Sequence, residues 1–142
     1  MNVSARTDYA LRAMLALAAA EPGTVTAQAL AAAQELPLTF LHAILGELRR
    51  ANLVFSQRGV DGGYTLARPA SQISIGDVIR VVDGSFSGVR GMPVITMRYA
   101  GAARHLSEVW IAIESAVLHV VDDVSLSDVV SGRLPDLRAD SR

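Results

Sequence analysis

Apolar residues recur at helical spacing near the start of the chain. Ala10, Leu11, Met14, Leu15 and Leu17 form one stripe within Ala5 to Ala20, and Glu21-Pro22-Gly23 closes the segment. Thr26 is a good N-cap for a short helix reaching about Gln34. Proline disfavours helix at the residue before it, so Leu36-Pro37 ends that helix. A second helix is expected from Leu38 to Ala51, with Leu41, Ile44, Leu45 and Leu48 on one side. Two short helices joined by a tight turn predict a helix-turn-helix.

The pattern then changes. Leu53 to Gln57 and Tyr64 to Ala67 read as strands around the glycine-rich tip Arg58-Gly59-Val60-Asp61-Gly62-Gly63, a hairpin in the position of a wing. Ser74 caps a further helix over Ile75 to Val82, stopped by Asp83-Gly84. From Ser85 to Ala100 no periodicity survives, and the stretch reads as a loop. Ala103 to Val121 is the longest amphipathic segment, with Leu106, Val109, Trp110, Ile113, Val117, Val120 and Val121 on one stripe. A long apolar helix outside a small domain needs a partner, and a second copy of the chain is the simplest. Ser125 caps a last short helix, Leu126 to Val130, and the chain ends in a tail. The expected fold class is mainly α with a small β-hairpin. Residues 1–84 form the winged helix-turn-helix domain, 85–102 a regulatory loop, 103–134 the dimerisation helix with the last short helix, and 135–142 the tail.

Composition narrows the chemistry. The 142 residues are 51% hydrophobic and 19% charged, a globular balance. The net charge of −1 hides a weak polarity: six arginines meet five acids up to Ala70, and seven meet nine beyond it. Every basic residue is arginine, three histidines aside. The chain has no cysteine, so disulfides, thiolate metal sites and a cysteine nucleophile are excluded, and no metal or cofactor is expected. Arg6, Asp8 and Arg12 interrupt the first apolar stretch, so no secretory leader is expected. No uncharged apolar run reaches the roughly 18 residues of a membrane span. The expected location is the cytoplasm, with no membrane partner.

The second helix of the motif is the element expected to enter a major groove of DNA. Its core side leaves Thr39, Phe40, His42, Ala43 and Glu47 on the other face, with Arg49 and Arg50 at the far end. Thr39 suits a base edge or a phosphate, Ala43 a thymine methyl, and the two arginines suit phosphates. The wing offers Arg58, Gly59, Gly62, Gly63 and Tyr64, with an arginine fitted to the negative potential of a narrow minor groove. Near the N-terminus, Ser4, Arg6, Thr7 and Arg12 are candidates for phosphate, helped by the positive end of the first helix. Each of these side chains is also an ordinary solvated residue when taken singly. The hairpin placed directly after the helix-turn-helix is what favours the nucleic-acid reading.

Three blocks carry a family resemblance. Residues Tyr9 to Ala18, Ser56 to Pro69 and Ile73 to Ile79 are similar to the opening helix, wing and following helix of the Rrf2 family of bacterial transcription regulators. The resemblance covers residues 1 to about 84, and the wing block is its most specific part. It implies a dimeric winged-helix regulator with crossed long helices on a roughly palindromic operator, a repressor being the expected sense. Many members sense iron–sulfur status or redox state through a cluster held by three cysteines in the loop after the wing domain. The corresponding residues here, Phe86 to Arg104, include none, so that chemistry does not carry over. Asp8 stands where some relatives place a carboxylate ligand. Without thiolates it reads as an acid complementing the helix dipole. A cluster on His42, His105 and His119 is disfavoured, because the last two lie about four turns apart along one helix. Cluster-free relatives act through a partner protein or a small ligand, which makes loop 86–105, with Tyr99 and Trp110, the expected place for an effector. Trp110 is otherwise a packing aromatic of the core or dimer interface. Ala43 departs from the longer polar side chain many relatives carry there.

A protein-interaction regulator with weakened DNA binding is the alternative, suggested by the sparse base readers, the absent lysine and the net charge. No catalytic spacing, phosphate loop or metal motif points to an enzyme.

Overall fold

The computed structural model describes residues 2–59, 62–84 and 92–137. Six α-helices and one hairpin follow in order: α1 (Ala5–Ala20), α2 (Ala27–Gln34), α3 (Leu38–Arg50), β1 (Val54–Gln57), β2 (Gly63–Leu66), α4 (Ile75–Asp83), α5 (Leu106–Asp123) and α6 (Leu126–Ser131). The helix starts obey local chemistry. The side-chain oxygens of Ser4, Thr26, Ser74 and Ser125 accept the N–H groups of Thr7, Ala29, Asp77 and Asp128. Ser74–Asp77 and Ser125–Asp128 complete reciprocal capping boxes.

The core forms around α1, which packs against α2, α3, α4, α6 and β2. Being surrounded changes its buried face. Thr7, Ala10, Ala13, Met14 and Leu17 are buried, whereas the expected Leu11 and Leu15 sit half-covered on the flank. Alanines at 10 and 13 leave room for neighbouring helices to approach closely. Across from them, Leu41, Ile44, Leu45 and Leu48 of α3 are buried as their spacing predicts. Leu126 of α6 is fully buried in the same core, so the last helix docks back on the winged domain. An isolated bridge between Ser74 and Ser125 ties the two helix starts together. Within it Ile75 N–H donates to Val124 (2.9 Å) and Leu126 N–H to Ile73 (2.9 Å).

β1 and β2 pair antiparallel, with Val54 opposite Leu66 and Gln57 opposite Gly63. A bridge from Val25 to Tyr64 pins the outer strand to the turn before α2 through hydrogen bonds of 3.0 and 2.8 Å. The wing is therefore anchored at its base.

The stretch read as a loop contains two short 3-10 turns, Val94–Thr96 and Gly101–Ala103. The first packs against α5, burying Val94. The long helix starts at Leu106, later than the expected Ala103, because the preceding residues turn as 3-10. Residues 85–91 of the expected regulatory loop, and Val60 and Asp61 of the wing tip, lie outside the described residues.

Candidate nucleic-acid interface

α2 and α3 meet at 119°, within the range of helix-turn-helix pairs. Between them Glu35 adopts a left-handed conformation (φ 54°) and Leu36 drops into the core, so the chain reverses without a glycine. Pro37 stands at the N-cap of α3 and supplies no side-chain acceptor. The first-turn N–H groups of α3 are thus left for water or an incoming anion. Thr39, Phe40, His42 and Ala43 are all exposed, Phe40 to 59%. Arg49 and Arg50 are exposed in the last turn, where they also complement the helix dipole.

The N-terminus of α1 is built differently. Ser4 caps it and donates to an Asp83 carboxylate oxygen at 2.7 Å, and the Thr7 hydroxyl donates to the same oxygen. Asp83, at the C-terminal end of α4, therefore places its charge where a phosphate was expected to sit. A carboxylate is unfavourable at its own helix C-terminus and favourable at the N-terminus of α1. Thr7 is fully buried and is withdrawn as a phosphate contact. Ser4 serves first as a cap.

The nearby arginines are engaged as well. An Arg6 Nη lies 2.6 Å from both Glu47 carboxylate oxygens. Arg12 pairs with Asp8 at 3.2 Å, donates to the Gln34 carbonyl and lies over the Tyr9 ring at 5.8 Å. Among the described residues no acid pairs with Arg49, Arg50 or Arg58. Sequence reasoning missed these engagements because the partners are up to 76 residues apart. Thr7→Val keeps the shape and removes the hydroxyl; it is expected to lower the unfolding free energy by about 1–2 kcal/mol. An unchanged urea midpoint would show that the Asp83 contact contributes nothing.

The wing glycines have distinct reasons. A side chain at Gly63 would strike the backbone of Val25, and one at Gly62 would strike the Gln57 and Gly59 carbonyls of its own hairpin. Their bareness closes and seats the hairpin. Gly59 alone of the three faces open space, beside exposed Arg58. Tyr64 is half-buried against the core. Phe55 was not expected at the surface, yet it is exposed on β1.

α5 has 18 residues and none is buried. It packs on α4 and the 94–96 turn. The expected stripe splits accordingly: Leu106, Trp110, Val117 and Val120 are half-covered, while Val109 and Ile113 remain 50% and 48% exposed. Trp110 donates to the Tyr99 hydroxyl at 3.0 Å, fastening the preceding segment to the helix. Ile111 and Leu118, outside the expected stripe, are also exposed.

A cleft of about 540 Å³ opens away from both surfaces, between the starts of α4 and α6 and the end of α5. Its carboxylates are already committed: Asp77 and Asp128 to the capping boxes, Asp122 to Arg80. The Asp122 hydrogen bond raises the Arg80 pKa, partly offset by desolvation.

The model for Rrf2, described as iron-dependent transcriptional regulators, matches residues 3–132. The chain belongs to the Rrf2 family. Rv1287 of Mycobacterium tuberculosis, provisionally named an HTH-type transcriptional regulator, is 44% identical over 96% of this chain and 85% of that protein. The HTH-type transcriptional regulator CymR of Bacillus subtilis is 34% identical over 92% and 91%. The solved structure of CymR, described as the global cysteine regulator of that organism, aligns with TM-score 0.80 and 32% identity over 93% of this chain and 98% of that one. The IscR structure of T. potens aligns with TM-score 0.75 and 29% identity over 99% and 94%. The chain is thus an Rrf2-family transcriptional regulator and not an enzyme, and its helical fold with one antiparallel hairpin is that of CymR and IscR.

The residues present do not fit the family's iron chemistry. The chain has no cysteine, and among the described residues no three histidines or acids converge. His105 pairs with Glu108 (2.6 Å) and His119 with Asp123 (3.2 Å), each within its own stretch of chain. No single helix among the described residues is long and apolar enough to cross a membrane.

Proposed function

We propose that this Rrf2-family regulator binds a palindromic operator as a homodimer, represses by occupying it, and does so without an iron–sulfur cluster. The observation that carries the reading is the open N-terminus of α3: it lacks a side-chain cap, is lined by exposed Thr39, Phe40, His42 and Ala43, and is followed by Arg49, Arg50 and Arg58, unneutralised among the described residues. In this reading α3 enters the major groove, with Thr39 and Ala43 at base edges, and Arg58 reaches the minor groove beside Gly59. Arg49 and Arg50 hold phosphates. Two copies joined through α5 would present the pair of α3 helices to half-sites roughly 34–36 Å apart. The cleft near α4 is already satisfied internally, so an effector is expected at residues 92–105, where Tyr99 and Trp110 meet.

The experiment is salt-dependent binding of the purified chain to its own promoter region, by fluorescence anisotropy with footprinting. Arg58→Ala is expected to weaken operator binding about tenfold and to flatten the plot of log affinity against log salt by about 0.9. Protection of one symmetric site supports the dimer. An Arg58→Ala protein that binds as the parent does, with the same slope, would remove the wing from the interface.

A further inference from the structure

The Arg6–Glu47 pair joins the first turn of α1 to the reading helix across 41 residues. Glu47 is the sole acid of α3. It lies seven residues after Phe40 and four after Ala43, so at helical spacing it shares their exposed side, away from Leu41, Ile44, Leu45 and Leu48. The two side chains remain 45% and 30% exposed. At that exposure an ion pair contributes little to folding stability. What it does change is the charge offered to an approaching duplex. A carboxylate there repels phosphates, while a free arginine would attract one wherever the protein lands, whatever the base sequence.

We infer that Glu47 withholds Arg6 from the DNA backbone, so that this pair sets how much of the chain's affinity for DNA is sequence-independent. The inference rests on the DNA-binding reading above. The geometry gives Arg6 a partner on both carboxylate oxygens, and the nearby N-terminus of α1 is satisfied by Asp83. The same region thus presents two cancelled charges where the sequence suggested a phosphate clamp. Arg49, Arg50 and Arg58 are left to carry the electrostatic attraction.

Glu47→Gln keeps the shape of the side chain and its hydrogen-bonding oxygen while removing the charge. Binding would be measured across a salt series on a mixed-sequence duplex that carries no operator, for the parent, Glu47→Gln, Arg6→Gln and the double variant. Glu47→Gln is expected to bind about tenfold more tightly at about 50 mM salt, with a slope steeper by about 0.9, one added phosphate contact. Arg6→Gln alone should bind as the parent does, and adding it to Glu47→Gln should abolish the gain. Urea midpoints are expected to coincide for all four, which separates charge from folding. A Glu47→Gln protein with parental affinity and slope, or with weaker binding, overturns the inference; the latter would make the pair a brace that orients α3. A parent that shows no salt-dependent binding removes the DNA reading itself and the inference with it.

Discussion

Aspartate at both Val109 and Ile113 is expected to leave a folded monomer and to lower operator affinity by about two orders of magnitude or more. Both positions are about half exposed in the single chain, so the charges face water there and cost the isolated fold little. In a pair of copies mated through this flank, four carboxylates would be buried without partners, each costing several kcal/mol. The flank is chosen on its make-up. Val109, Ala112, Ile113, Ala116 and Val120 follow one another at spacings of three and four, and the alanines allow two helices to approach closely. The opposite flank, with Ile111 and Leu118, is interrupted by Ser115 and ends at Asp122. Sedimentation at micromolar concentration reads the outcome, with Leu118→Asp as the comparison. A double variant that still sediments as a dimer, or a monomeric Leu118→Asp protein, would mean that the wrong flank was chosen.

Gly63→Ala is expected to cost the largest share of stability of any single methyl added to the wing, about 2–4 kcal/mol. A β-carbon at 63 would lie 2.7 Å from both the carbonyl carbon and the oxygen of Val25 and 3.0 Å from the Thr26 nitrogen. All three are backbone atoms and cannot swing aside. The residue also has φ 148°, which side chains of L-residues rarely adopt. Relief requires parting the Val25–Tyr64 bridge with its two hydrogen bonds. Gly59→Ala tests the argument from the other side. Its φ is also positive, at 116°, but a β-carbon there meets nothing, so only the conformational cost remains. The two urea midpoints should therefore differ, with Gly63→Ala the lower; equal losses would show that the Val25 contact is not what makes glycine necessary.

These two cases separate what is local from what is not. The interruption of helix at Leu36-Pro37, the caps at Thr26, Ser74 and Ser125, and the alternation from helical spacing to a glycine-tipped hairpin were all legible in the sequence. The wing block, Ser56 to Pro69, was specific enough to point to the family that the comparisons show. The exposed face of α3 was legible too, since four buried residues at helical spacing leave one side over. The function of Thr7 was not. In the sequence it is a polar residue in the first turn of a helix; in the structure it is buried and bonded to Asp83.

The sequence alone determined where the helices and strands begin and end, because capping, proline geometry and periodicity act between residues at most a few positions apart. Tertiary packing decided which side of α1 faces inward, which arginines keep their charge for a partner, and that α5 retains apolar flanks while α6 returns to the core. Those outcomes depend on ion pairs and contacts spanning 41 to 76 residues. Such partners acquire a distance only when the helices that carry them have packed.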